Sequence, residues 1–496
     1  MKVNIGRGIL LLTLLLFLSS CAGVSPQQIG KSWERPQACQ EFLDRLDAKV
    51  MEAGVQDAAS YPIPGFPYLR ANRFLSALKD LARDEAGKKQ WVRWMQALDL
   101  GGRKKEIYNL PEAGAQALGE GEKPDREKLY SRVEFCSAQL LEHDGKRQDF
   151  YPTLEPLVKI PDEYSTFRQV IGLYPIASIP VAVASENSQK KFQNQFDIEP
   201  GNLRIDGSLQ SFVPREGIRL DRKELALLME ESRKNPLQVP LPDPQQEEQL
   251  VRAFAPIFIQ DVAASYDLPG EVVWRGERVE IDVKKPAVYY YLSYAFLKGE
   301  PILQINYVIW YSARAGENPP WFEKGHLDGL TLRVSLDSQA NPFMVDAINN
   351  CGCYHLFVPE KAGVKRVVSW PYEPAPFVPQ WLPVFSPEER LAVRLNSGWH
   401  QVQRLLALRE SANPTSYELI PYDVLESLSR EDGRRESIFD ARGIAKGSER
   451  PERFILFSMG IPEVGSMRQR GHHAIEFLIR VHFDGPGLFD HYFDFK

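Results

Sequence analysis

The chain is poor in cysteine, with five in 496 residues, and none of them forms a CxxC pair. That excludes a thioredoxin-like motif, which needs CxxC ahead of a helix, and a zinc ribbon built on paired CxxC units. Uninterrupted apolar runs are short. None reaches the roughly 18–20 residues of a membrane-spanning helix. Basic blocks are absent and the net charge is −6, so nucleic acid is excluded as a partner. Walker A spacing, a strand–GxGxxG–helix unit and a GxSxG elbow are all missing. A nucleotide site and an ordinary serine hydrolase therefore have no support.

What is present is ordinary globular composition, 43% hydrophobic and 25% charged, in a chain long enough for two or three domains. Its first residues are distinctive. Lys2 and Arg7 precede Ile9–Leu18, an apolar run of ten, too short for a stable anchor but suited to a signal peptide. The run ends in Leu18-Ser19-Ser20-Cys21. This resembles the lipobox of bacterial lipoproteins: an aliphatic residue, two small residues, then cysteine. The resemblance covers residues 1–21 and implies cleavage before Cys21, which then carries the acyl chains that attach the protein to a membrane. Ala22 follows the cysteine, where an acidic residue would resemble an inner-membrane retention signal. The resemblance thus implies an outer-membrane protein facing the periplasm. Residues 1–20 are expected as signal peptide and 21–38 as a lipidated tether.

Four cysteines remain for an oxidising compartment, and they allow three pairings. Cys39 shares a helical stripe with Phe42, Leu43, Leu46 and Val50. Cys136 shares one with Val133 and Leu140. A Cys39–Cys136 disulfide is expected, closing a loop of about a hundred residues that is worth about 4–5 kcal/mol. Cys351 and Cys353 are left for each other or for a metal.

The predicted fold class is α+β. Residues 39–235 read as mainly helical, with a capping box at Asp221 and Glu224 opening one helix. Residues 236–249 carry four prolines and read as a linker. Residues 250–496 read as an antiparallel β-rich domain, a sandwich or partly closed barrel, with one helix near "ERLAVRLNSGWHQVQRLLALRES". "AVYYYLSYAFLKGEPILQINYVIWYSAR" carries a hairpin signal at Lys298-Gly299. "GVKRVVSW" and "IEFLIRVHFDG" are also expected as strands. "FRQVIGLYPIASIPVAVA", residues 167–184, is almost charge-free and broken by Pro175 and Pro180. It reads as a buried extended segment, or else as an exposed patch that dips into the membrane beside the lipid.

Candidate chemistry gathers in the C-terminal half. In "NNCGCYHLF" an extended backbone would put Cys351, Cys353 and His355 on one side, nearly 7 Å apart between neighbours. That is too wide for a disulfide or for two thiolates on one zinc, but Gly352 permits a bend. A Cys351–Cys353 disulfide, a metal site using His355, and two reduced thiols all remain open. His326, Asp328, His355, His472 and His473 could converge on zinc or another divalent metal. Arg450, Arg453, Arg468 and Arg470 stand beside glycines and could hold an anion. Two functions follow: an envelope protein that binds a partner or small ligand through its β-rich half, or a metal-dependent hydrolase built on the His/Asp cluster.

Overall fold

The computed structural model describes residues 35–119, 125–368, 370, 373–409 and 413–496. Cys21, the signal peptide and most of the expected tether lie outside the described residues.

The N-terminal part is helical because its apolar residues recur at helical spacing. Helices α1 (Pro36–Ala53), α2 (Glu85–Asn109) and α3 (Arg126–Asp144) enclose one core. Asp84 and Asp125 cap α2 and α3 by accepting from backbone N–H groups three residues on, which satisfies donors that the helix leaves unpaired. Cys39 and Cys136 are joined, with their Cα atoms 4.9 Å apart. The expected pairing is therefore present, and it ties α1 to α3.

Residues 167–184 are neither extended nor buried. They belong to α4 (Thr166–Ile171) and to the N-terminal half of α5 (Tyr174–Phe196). Pro175 sits in the first turn of α5, where a missing N–H costs nothing; Pro180 lies inside the helix. Ile176 and Ile179 are 69% and 64% exposed, and Phe167, Val170 and Val183 are exposed beside them. Among the described residues no helix is long and apolar enough to cross a membrane.

The proline-rich stretch 236–249 is packed rather than a free linker. Leu237 and Val239 are buried in the helical core. Asp243 forms a capping box with Gln246 and starts α7 (Pro244–Phe254), while the box predicted at Asp221 and Glu224 opens α6 (Arg222–Ser232).

The second half is a large, curled, mixed sheet of ten strands. Strand β1 (Ser208–Pro214) lies within residues 201–220, which alternate like strands inside the otherwise mainly helical part. Strands β2 (Ile257–Val262), β3 (Ala287–Leu297), β4 (Glu300–Arg314), β5 (Gly325–Leu336), β6 (Pro342–Asn349) and β7 (Leu356–Pro359) follow. Strands β8 (Arg390–Leu395), β9 (Val402–Leu408) and β10 (Thr415–Pro421) complete the sheet. The spatial order is β7-β6-β5-β4-β3-β10-β1-β2-β8-β9. Pairing from β7 through β3 is antiparallel. The β3–β10, β10–β1 and β2–β8 pairs are parallel, so the sheet is not the purely antiparallel one expected. Lys298 and Gly299 both have positive φ between β3 and β4, as a two-residue hairpin turn of matching twist requires.

The segment expected as a helix is the β8–β9 hairpin. Its turn depends on Gly398, whose φ is +72° and where a Cβ would lie 2.2 Å from the Ala315 carbonyl. Residues 475–485, expected as a strand, contribute only His482 to one isolated bridge, with Ala474. Val364–Val367 is a strand as expected, paired with Phe493–Phe495.

Candidate functional site: a cavity beneath an exposed helix

The site begins with the two faces of α5. Ile176, Ile179 and Val183 point away from the body. Ala177, Val181, Ala184, Ser188 and Phe192 follow the helical period on the other face and line a cavity of about 580 Å³. The opposite wall is the loop between β6 and β7, which carries Cys351, Cys353, Tyr354 and His355. The C-terminal segments supply Glu452, Leu456, Val464, Glu476 and Phe477. A groove of about 720 Å³ along α6 brings together exposed side chains such as Lys223, Glu230 and Lys234; it is a solvated surface.

The cavity is braced from below by buried ions. Arg314 donates to Asp328 Oδ2 and Oδ1 at 3.0 and 2.9 Å and to Glu323 Oε2 at 2.8 Å. Glu323 lines the cavity and also accepts from Tyr354 Oη at 2.6 Å and Trp399 Nε1 at 2.9 Å. Behind them His400 bridges Asp328 Oδ2 at 2.8 Å and Asp267 Oδ1 at 3.1 Å. Two carboxylate acceptors require two ring donors, so His400 is an imidazolium. Tyr311 stacks on it at 3.8 Å. Burial opposes the charge on His400, but the two carboxylates outweigh it and raise its pKa. Burial likewise disfavours the Asp328 charge, yet Arg314 and His400 hold it well below the usual carboxylate range.

Two carboxyls at the cavity differ from these. Burial pushes Glu476 up to about 8. Burial, aided by the negative charge of Cys351 and Glu323, does the same to Glu452. Glu452 Oε2 has no hydrogen-bond partner. Both therefore hold a proton near neutral pH.

Only some of the residues expected from sequence meet here. Of the five metal candidates, His355 alone lines the cavity, and its Nε2 lies 2.8 Å from Asp346 Oδ2. His326 Nε2 lies 2.7 Å from the Val279 carbonyl. Asp328 is held by Arg314 and His400. His472 lies between Glu163 and the Ala58 carbonyl, and His473 faces the Asn350 carbonyl. His355 and His473 share the Phe483 ring as a neighbour, at 5.5 and 6.1 Å. His326 and Asp328 do not share a strand face because Leu327 has φ +58°, which breaks the alternation. Among the described residues no group of three or more His, Cys, Asp or Glu is arranged to hold a metal ion.

The arginines expected to bind an anion are occupied. Arg450 donates to the Glu323 and Leu327 carbonyls, and Arg453 pairs with Glu463. Arg468 donates to carbonyls of Cys351, Pro462 and Glu463; Arg470 donates to Glu426 and Asp423. Buried cations such as Arg450 and Arg468 need such partners, so these guanidiniums are engaged within the protein. Cys351 and Cys353 are free thiols; of the states left open for them, the structure has the reduced pair and not the disulfide.

Sequence reasoning missed His400, Glu323, Glu452 and the cavity face of α5. For His400 the turn signal Asn396-Ser397-Gly398 was available. Nothing local marks Glu452, whose role depends on what packs over it.

No protein-family model matches this chain, and no curated protein or solved structure matches it either.

Proposed function

We propose that this is a lipid-anchored cell-envelope protein, attached through Cys21 to the outer membrane and facing the periplasm, which binds an elongated apolar small molecule in the cavity beneath α5. The cavity carries the reading. Its volume of about 580 Å³ suits a small ligand, and its lining is mainly apolar with carboxyl groups and thiols among it, as ligand sites generally are. Glu452 and Glu476, protonated up to about pH 8, can each donate a hydrogen bond to the polar end of such a ligand.

The attachment rests on Leu18-Ser19-Ser20-Cys21 and the short apolar run before it. A tether from Cys21 to Arg35 reaches at most about 50 Å when extended, so the body stays at the membrane surface. The exposed apolar residues of α4 and α5 form the kind of patch that a soluble surface rarely leaves open. A lipid bilayer is the apolar surface that the tether keeps within reach.

Two outcomes are expected. Wild-type protein should label with a palmitate analogue and sediment with membranes, whereas Cys21→Ala should do neither; a labelled, membrane-bound variant would remove the anchor. N-phenyl-1-naphthylamine, an apolar dye that brightens on leaving water, should bind the wild type. Val181→Trp fills the cavity from α5 and should weaken binding at least about ten-fold, or 1.4 kcal/mol. Equal binding by the variant would place the dye elsewhere and sink the ligand reading.

A further inference from the structure

The loop that walls the cavity bends where a dithiol needs it to. Gly352 has φ +91°, and a Cβ there would lie 2.7 Å from the Ala474 carbonyl. Tyr354 has φ +59°, a conformation that side chains other than Asn, Asp and His seldom adopt. A straight strand would hold Cys351 and Cys353 apart; this turn folds both into one wall of the cavity, near enough for each thiol to act on the other's ionisation. Both line the cavity, Cys353 more exposed than Cys351. Two buried guanidiniums, Arg314 and Arg450, act on Cys351. Glu452 is 5% exposed, borders the same cavity and has an unpartnered Oε2.

We propose that Cys351 and Cys353 are a redox couple that exchanges with an apolar disulfide compound bound in the cavity, with Glu452 carrying the proton. This rests on the reading of the cavity as an apolar ligand site. The Cys351 thiolate attacks one sulfur of R–S–S–R. A Cys351–S–S–R bond forms, the R–S–S–R bond breaks, and RS⁻ leaves with the proton of Glu452 as RSH. The Glu452 carboxylate then takes the proton of Cys353, and the resulting thiolate attacks Cys351 Sγ. The Cys351–Cys353 disulfide closes, a second RS⁻ leaves, and Glu452 is protonated again. The compound gains two electrons and the protein loses two. A dithiol compound of the same class runs the steps backwards and restores the thiols.

The electrostatics favour this order. Burial alone would raise the Cys351 thiol, but the hydrogen bond from Cys353 and the charges of Arg314 and Arg450 bring it below its ordinary value. Cys353 is pushed up, first by its hydrogen bond to Cys351 and then by burial. One sulfur is thus the nucleophile and the other keeps its proton until a base removes it. A disulfide across a single residue is strained, which makes it an oxidant rather than a staple.

The test uses the full chain in detergent, equilibrated with glutathione from fully reduced to fully oxidised. After an acid quench and alkylation, mass spectrometry reads the peptide containing residues 351 and 353. The peptide should pass from doubly alkylated to closed as the buffer becomes oxidising. Cys353→Ser should accumulate one glutathione on Cys351. Glu452→Gln should slow closure at least about ten-fold near pH 7, within the range of general acid–base effects, and flatten its pH dependence. Thiols that stay alkylatable in every buffer, or a Cys353→Ser variant that takes up no glutathione, would overturn the couple. Dye binding on the same samples separates the two readings. Lost exchange with retained dye binding overturns the couple alone, whereas lost dye binding in wild type overturns the cavity reading.

Discussion

Arg314→Met is expected to destabilise the protein by about 3–5 kcal/mol, the usual cost of removing one partner from a buried ion pair. Arg314 is 1% exposed and is the only cation that donates to both Asp328 and Glu323 among the hydrogen bonds of the described residues. Its loss leaves Glu323 to Tyr354 and Trp399, and Asp328 to His400 with Arg450 3.6 Å away. An exposed pair such as Arg204–Asp206 should be worth less than about 1 kcal/mol by comparison. Urea unfolding at pH 6 measures both, and an Arg314→Met midpoint within error of wild type would show that the network is dispensable. The same network predicts a pH dependence. The pKa of His400 is raised, so its contribution is complete below about pH 6.5 and is lost as pH rises through the folded value. Those of Asp267 and Asp328 are lowered, so theirs are complete above about pH 4 and are lost on acidification. His400→Asn suits the left-handed φ of +54° at this position. Its deficit against wild type should be larger at pH 5.5 than at pH 8.5. An equal or larger deficit at pH 8.5 would mean that His400 is neutral in the folded protein.

The features legible in the sequence were those set by neighbours along the chain. The Lys298-Gly299 turn, the Asp221–Glu224 capping box and the stripes bearing Cys39 and Cys136 each need only a few adjacent residues, and the structure contains all of them. What was not legible depends on contacts distant in sequence or on one unusual backbone angle. The parallel pairing of β1 with β10 joins Phe212 to Thr415 and draws a strand from the helical half into the sheet. Leu327 at φ +58° turns His326 away from Asp328. The CGCYH stretch pointed to the cavity because its composition is rare in this chain, but its dithiol depends on the bend at Gly352. The partners of that dithiol, Arg314 on one side and Arg450 with Glu452 on the other, come from two segments far apart in the chain. Residues 167–184 misled because prolines suggest extended chain, whereas Pro175 in a first turn is compatible with a helix.

Replacing Cys39 and Cys136 by alanine together is expected to cost about 4–5 kcal/mol. The link closes a loop with a sequence separation of 97 residues, and the chain-entropy model assigns that amount to a loop of this length. Both sulfurs sit in a packed core, at 0% and 2% exposure, so the small voids left by alanine add to the deficit. The helices should still form, because Phe42, Leu43, Leu46 and Val50 on α1, and Leu129, Val133 and Leu140 on α3, stay buried in one cluster. The Arg132 guanidinium, 3.9 Å from the Phe42 ring centroid, continues to bridge them. The cost therefore falls on the unfolded ensemble, which regains the freedom of the loop, and the cavity beneath α5 should keep its dye affinity. Urea unfolding of the double variant, paired with dye titration, reads both quantities. Non-reducing peptide mapping after rapid alkylation checks the premise. An unchanged unfolding midpoint, or two alkylated thiols at positions 39 and 136 in native protein, would remove the disulfide from the account of this fold's stability.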